Sequence, residues 1–121
     1  MIRHIVLLQI PSHIAQSDID TMIGELEKVA FSVPGALAFC GGAKMTGSGL
    51  SQGFTHAITI DFTDLAARDT YVRGLDQDWI GIRLSEMTEG GLGGILAISV
   101  NVDDIHTPDK GSDKKPELRW I

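Results

Sequence analysis

Residues 2 to 10, IRHIVLLQI, are apolar on both parities of an extended strand: Ile2, Val6, Leu8 and Ile10 share one side, Ile5 and Leu7 the other. A strand of this kind has to be covered twice, so it belongs in the interior of a sheet with apolar matter on each face. The exception on the first side is His4, which shares the parity of Val6 and Leu8. A second stretch repeats the pattern. GFTHAITIDF, residues 53 to 62, alternates like a half-buried strand and sets His56 on the side of Phe54, Ile58, Ile60 and Phe62.

The segments between and after these strands complete the plan. SDIDTMIGELEKVAFSVPG offers Ser17 as an N-cap and the acidic Asp18 and Asp20 near the positive end of a helix dipole. Ile19, Met22, Ile23, Leu26 and Ala30 form one helical stripe, which stops before Pro34 and Gly35. ALAFCGGAK is a strand in which Leu37 and Phe39 alternate with Ala38 and Cys40, and Gly41 and Gly42 suggest a bulge or bend. A long turn, MTGSGLSQG, joins it to the His56 strand. Thr63 or Asp64 caps a short helix with Leu65, Tyr71 and Val72 in its pattern up to Gly74. Ile80, Leu84 and Met87 mark another before EGGLGG. In the last strand, ILAISVNV, Leu96, Ile98, Val100 and Val102 form the apolar face. Strand, helix, strand, strand, helices, strand is the order of an α+β, ferredoxin-like, four-stranded antiparallel sheet with helices on one face. Ile5 and Leu7 then lie on the helix-free face, which calls for a second subunit packed sheet to sheet, a homodimer.

A chain of 121 residues fits one domain, placed at residues 1–102, with residues 103–121 as a polar C-terminal tail. Trp120 and Ile121 at its end are suited to docking on a neighbouring subunit. With 16 acidic against 10 basic residues the net charge is −6, a field that repels nucleic acid. One cysteine, Cys40, and an apolar N-terminal run too short for a signal peptide point to the cytoplasm, with Cys40 as a buried inert thiol. No stretch approaches the ~20 apolar residues of a membrane-spanning helix.

Antiparallel pairing of the two histidine strands sets His4 and His56 toward opposite ends, so each projects separately into the layer between sheet and helices. Tyr71 offers a hydroxyl to the same layer. A pocket of His4, His56 and Tyr71 lined by Val6, Leu8, Ile58, Met87 and Ile98 suits a small apolar or aromatic ligand. GSGLSQG leads into a strand rather than opening a helix, so its amides form no phosphate cradle, and GGLGG fails likewise. Asp103, Asp104, His106 and Asp109 match no closed metal pattern. Neither a cofactor nor a metal is expected.

MIRHIVLLQI, VPGALAFCGG and GLSQGFTHAITIDFTDLAARDTYV together resemble the Dabb family, the stress-responsive α/β-barrel domain, over about residues 1 to 102; RHIV and GFTHA, each entering a strand, carry the likeness. The resemblance implies a ferredoxin-like monomer that pairs its sheets into a dimeric α+β barrel, with larger rings in some members. It implies no established activity for most members. One plant member is a cofactor-free polyketide cyclase whose pocket histidines and tyrosine correspond to His4, His56 and Tyr71, and related barrels include cofactor-free monooxygenases of aromatic polyketides. Many members carry His-Pro-x-His after the tyrosine; here Gly74, Leu75, Asp76 and Gln77 stand there. Gln77 takes the position of the cyclase acid/base histidine, which places it among the ligand-binding residues of the pocket, and an amide has no usable pKa near neutrality. Two readings follow: a stress-related ligand-binding domain, or a cofactor-independent cyclase or monooxygenase using His56, His4 and Tyr71.

Overall fold

A computed structural model describes residues 1–45 and 49–108. The chain forms β1 (Ile2–Leu8), α1 (Gln16–Phe31), β2 (Ala36–Ala43), β3 (His56–Phe62), α2 (Leu65–Gly74), α3 (Ile80–Met87) and β4 (Ile95–Asn101), with 3₁₀ turns at Gln77–Trp79 and Gly91–Gly94. The strands make one antiparallel sheet in the order β2-β3-β1-β4, the expected ferredoxin-like arrangement with β1 inside. Trp120 and Ile121, with the anchoring role expected of them, lie outside the described residues, as does Asp109.

Register sorts the side chains. His4 stands opposite Ile60 and Ser99, and Val6 opposite Ile58 and Ala97, so these residues share the helix-covered face. There Val6, Leu8, Ile58, Ile60 and Phe62 pack with Ile19, Met22, Leu26 and Ala30 of α1, Tyr71 of α2, and Ile80 and Leu84 of α3. Phe62, Leu8, Leu26, Ile58 and Ile60 are each under 2 % exposed. Burial of one such side chain contributes ~2 kcal/mol, more than an exposed ion pair such as Arg83–Glu25 at ~0–1 kcal/mol. The face between sheet and helices therefore dominates stability.

The other face carries Ile5 and Leu7, half-buried, beside Leu96, Ile98 and Val100, which are 45 %, 50 % and 40 % exposed. Expectation and structure part at Ile98. It pairs with Ile5, so the apolar side of β4 looks away from the helices and Ala97 and Ser99 look inward. Alternation identified the two sides of β4 but not which one the helices cover.

Other local expectations change. α1 begins at Gln16 with Ala15 as N-cap and no side-chain cap, so Ser17 lies inside the helix rather than ahead of it. In α2 the buried positions are Ala67 and Tyr71, a four-residue spacing, while Leu65 and Val72 remain exposed. Asp64 is its cap, accepting from the Ala67 N–H at 2.9 Å. The irregularity in β2 falls between Ala36 and Ala38, whereas Gly41 and Gly42 pair in register. Gly41 stands close to the core, where an added Cβ would sit 3.2 Å from Ile58 Cγ1, a tight contact that Ile58 would have to yield to. Cys40 is exposed on the helix-free face, its Sγ 2.7 Å from Thr59 Oγ1, rather than buried.

Candidate functional site

A cavity of about 390 Å³ opens between the sheet and α2. From the sheet come His4 and Val6 of β1 and Ala97 of β4. α2 and the residue after it supply Arg68, Asp69, Tyr71, Val72 and Leu75; Leu26 of α1 and Leu84 of α3 close the inner wall. Arg68 and Tyr71 are three apart, and Leu75 follows Tyr71 by four, so one side of α2 presents them together. The volume lies within the usual range for small-molecule sites, ~300–1,000 Å³.

The polar groups are linked to one another. His4 Nδ1 is 2.9 Å from Ser99 Oγ, and Arg68 Nη1 donates to the same oxygen at 2.9 Å. Arginine has only donors. Ser99 Oγ thus joins the two side chains, giving one acceptor site to Arg68 and keeping both its proton and a second acceptor site for His4 Nδ1, so it pairs with either tautomer of the ring. Burial first, then the nearby charge of Arg68, holds the His4 pKa below its usual range, so the ring is neutral at pH 7. Tyr71 meets His4 edge to face, ring centroids 6.1 Å apart. Burial drives the phenol pKa far above its usual value of about 10, so Tyr71 remains a hydroxyl donor. Its hydroxyl makes no hydrogen bond among the described residues.

His56 stands elsewhere. It pairs with Leu8, four rungs along β1 from His4, ~13 Å at the usual strand rise. The Thr55 hydroxyl donates to the Leu8 carbonyl at 3.1 Å and accepts from the Ile10 N–H at 2.9 Å. Having given its proton away, Thr55 Oγ1 accepts from His56 Nδ1 at 2.8 Å, which leaves His56 Nε2 as an acceptor. Burial lowers the His56 pKa as well. The ring borders a shallower recess of Pro11, Ser12, Gln16 and Lys44, at the far end of the sheet.

Of the residues expected to share a pocket, the structure therefore joins His4, Tyr71 and Val6. Leu8 and Ile58 are core, 1 % exposed. Met87 lies toward Ile14 and Met22 of the α1 region, Gln77 is exposed at the start of its 3₁₀ turn, and Ile98 is on the opposite face. Sequence reasoning missed Arg68, Asp69 and Ser99. The Arg68–Tyr71 spacing was a usable signal, as was Ser99 on the polar side of β4, but both were hidden by a search for apolar periodicity. Among the described residues no cluster of His, Cys, Asp and Glu is arranged to hold a metal, and no helix is long and apolar enough to cross a membrane.

The family model described as the stress responsive A/B barrel domain, Dabb, matches residues 2–78. A dimeric ferredoxin-like protein of unknown function from Jannaschia sp. is similar at 25 % identity and a TM-score of 0.68, covering 84 % of this chain and 98 % of its own. A dimeric ferredoxin-like protein of unknown function from Thermobifida fusca shares 20 % identity at a TM-score of 0.63, covering 84 % and 90 %. The hydroxynitrile lyase of Passiflora edulis shares 18 % identity at 0.67, covering 88 % and 96 %. No curated protein sequence matches.

Proposed function

The chain belongs to the stress-responsive A/B barrel family, Dabb, and from that premise we propose that it is a cytoplasmic homodimer binding one small apolar or aromatic molecule per subunit in the cavity of His4 and Tyr71. The observation that carries the reading is the cavity itself: walls of Val6, Leu26, Val72, Leu75, Leu84 and Ala97, and polar lining groups linked to one another through Ser99 and the His4–Tyr71 ring contact. Apolar area supplies affinity there, and a few donors orient the guest. The exposed apolar row Leu96, Ile98 and Val100, beside Ile5 and Leu7, supports pairing through the helix-free face, as do the dimeric relatives. Residues 1–102 act as the domain; the N–H of Val102 still bonds to the Met1 carbonyl at 2.8 Å.

An NMR titration with 2-naphthol tests the binding. Shifts should concentrate at His4, Tyr71 and Ala97 and disappear in Ala97→Phe, which fills the cavity. Shifts elsewhere, or shifts that survive the filling, would contradict the reading.

A cofactor-independent cyclase or monooxygenase would draw on the same neutral imidazole and protonated phenol. The distance of His56 and the exposure of Gln77 weigh against it, because His4 and Tyr71 would have to act without either. Loss of turnover of a candidate aromatic polyketide in Tyr71→Phe, with fold intact, would favour catalysis over binding.

A further inference from the structure

Resting on the ligand-binding reading above, we propose that the guest of the His4–Tyr71 cavity carries an anionic oxygen, as a carboxylate or enolate on an apolar body, and that Arg68 selects it. Arg68 and Asp69 are the charged side chains lining this cavity. Arg68 is anchored from the sheet by its Nη1 bond to Ser99 Oγ. Its other edge is turned to Asp69: Nε donates to Oδ1 at 2.9 Å, and Nη2 lies 2.8 Å from the same oxygen.

Adjacent residues on a helix point in different directions. Asp69, which also lines the cavity, meets its neighbour with one carboxylate oxygen at an edge able to accommodate two. A guest carboxylate can take that edge with two parallel bonds, the stronger arrangement for a guanidinium. Asp69 is the easier partner to displace, since its side chain is 49 % exposed against 27 % for Arg68 and returns readily to water. The bond to Ser99 holds the guanidinium in place during the exchange, so little order has to be created on binding. The net charge of −6 disfavours anions at long range, which makes the discrimination local to Arg68.

The test is calorimetric titration of the full chain with 2-naphthoate and with its neutral isostere 2-naphthamide, reading the ratio of affinities. The wild type should favour naphthoate by about tenfold, the scale of a hydrogen bond to a charged group. Arg68→Gln should bring the ratio near one, Arg68→Lys should keep part of it, and Asp69→Asn should raise it by freeing the guanidinium edge. A wild-type ratio near one, or a ratio that Arg68→Gln leaves intact, overturns the assignment while the cavity reading stands. Failure of both compounds to bind overturns the two together. Should Arg68→Gln misfold, Asp69→Asn decides alone: a ratio that does not rise contradicts the inference.

Discussion

His4 and His56 occupy equivalent sides of neighbouring strands, yet their partners assign them different roles. His4, between Ser99 and the charge of Arg68, is held neutral at the cavity; His56, bonded to Thr55, presents an acceptor at the other end of the sheet. Both rings resist protonation in the folded chain. Below the ordinary histidine value of about 6.5 the unfolded chain therefore binds protons that the folded chain refuses. Stability should be full above that pH and decline as pH falls through it toward the depressed folded values. Urea denaturation at pH 7.5 and 5.5 checks this, with a smaller loss expected in His4→Asn than in the wild type; equal losses would contradict a depressed His4. The histidines were legible in sequence because a polar residue interrupts an apolar parity. Their surroundings were not, since Ser99 lies 95 positions from His4 and only strand register brings the two together.

At the scale of elements, α2 carries Arg68 and Tyr71, and its start depends on Asp64. Asp64→Ala should cost ~1 kcal/mol in denaturant midpoint measurements, the usual worth of an N-cap, and should weaken cavity binding by loosening that turn. Unaltered stability would show that the cap contributes nothing here. At the entry to β2, Gly35 adopts φ +100°, and a Cβ would meet Thr63 Oγ1 at 2.6 Å. Gly35→Ala should therefore destabilise by more than ~1 kcal/mol, since both the backbone conformation and the space favour glycine. Capping narrowed α2 to Thr63 or Asp64 but misplaced the start of α1 at Ser17, because a cap residue competes with its neighbours over a single turn; the stripe Ile19, Met22, Leu26 and Ala30 was readable because periodicity is a local property. The inward side of β4 was not, because either parity satisfies alternation and only the choice between helix layer and partner subunit distinguishes them.

For the whole molecule, the doubly apolar β1 remains the organising fact. One side is buried under the helices; the other stands beside Leu96, Ile98 and Val100 and calls for a second sheet. Leu7→Asp should shift the chain to monomer in sedimentation, because dimerisation would bury an unpaired carboxylate, while a dimer of undiminished affinity would refute the orientation of that face. The most direct test of the central claim is native mass spectrometry of wild-type and Ala97→Phe protein purified gently from the source organism, which reads subunit count and retained small molecules at once. A wild-type dimer carrying a discrete added mass that the filled variant lacks is the predicted result. A monomer, or an added mass held equally by both proteins, would contradict the cavity as the seat of function.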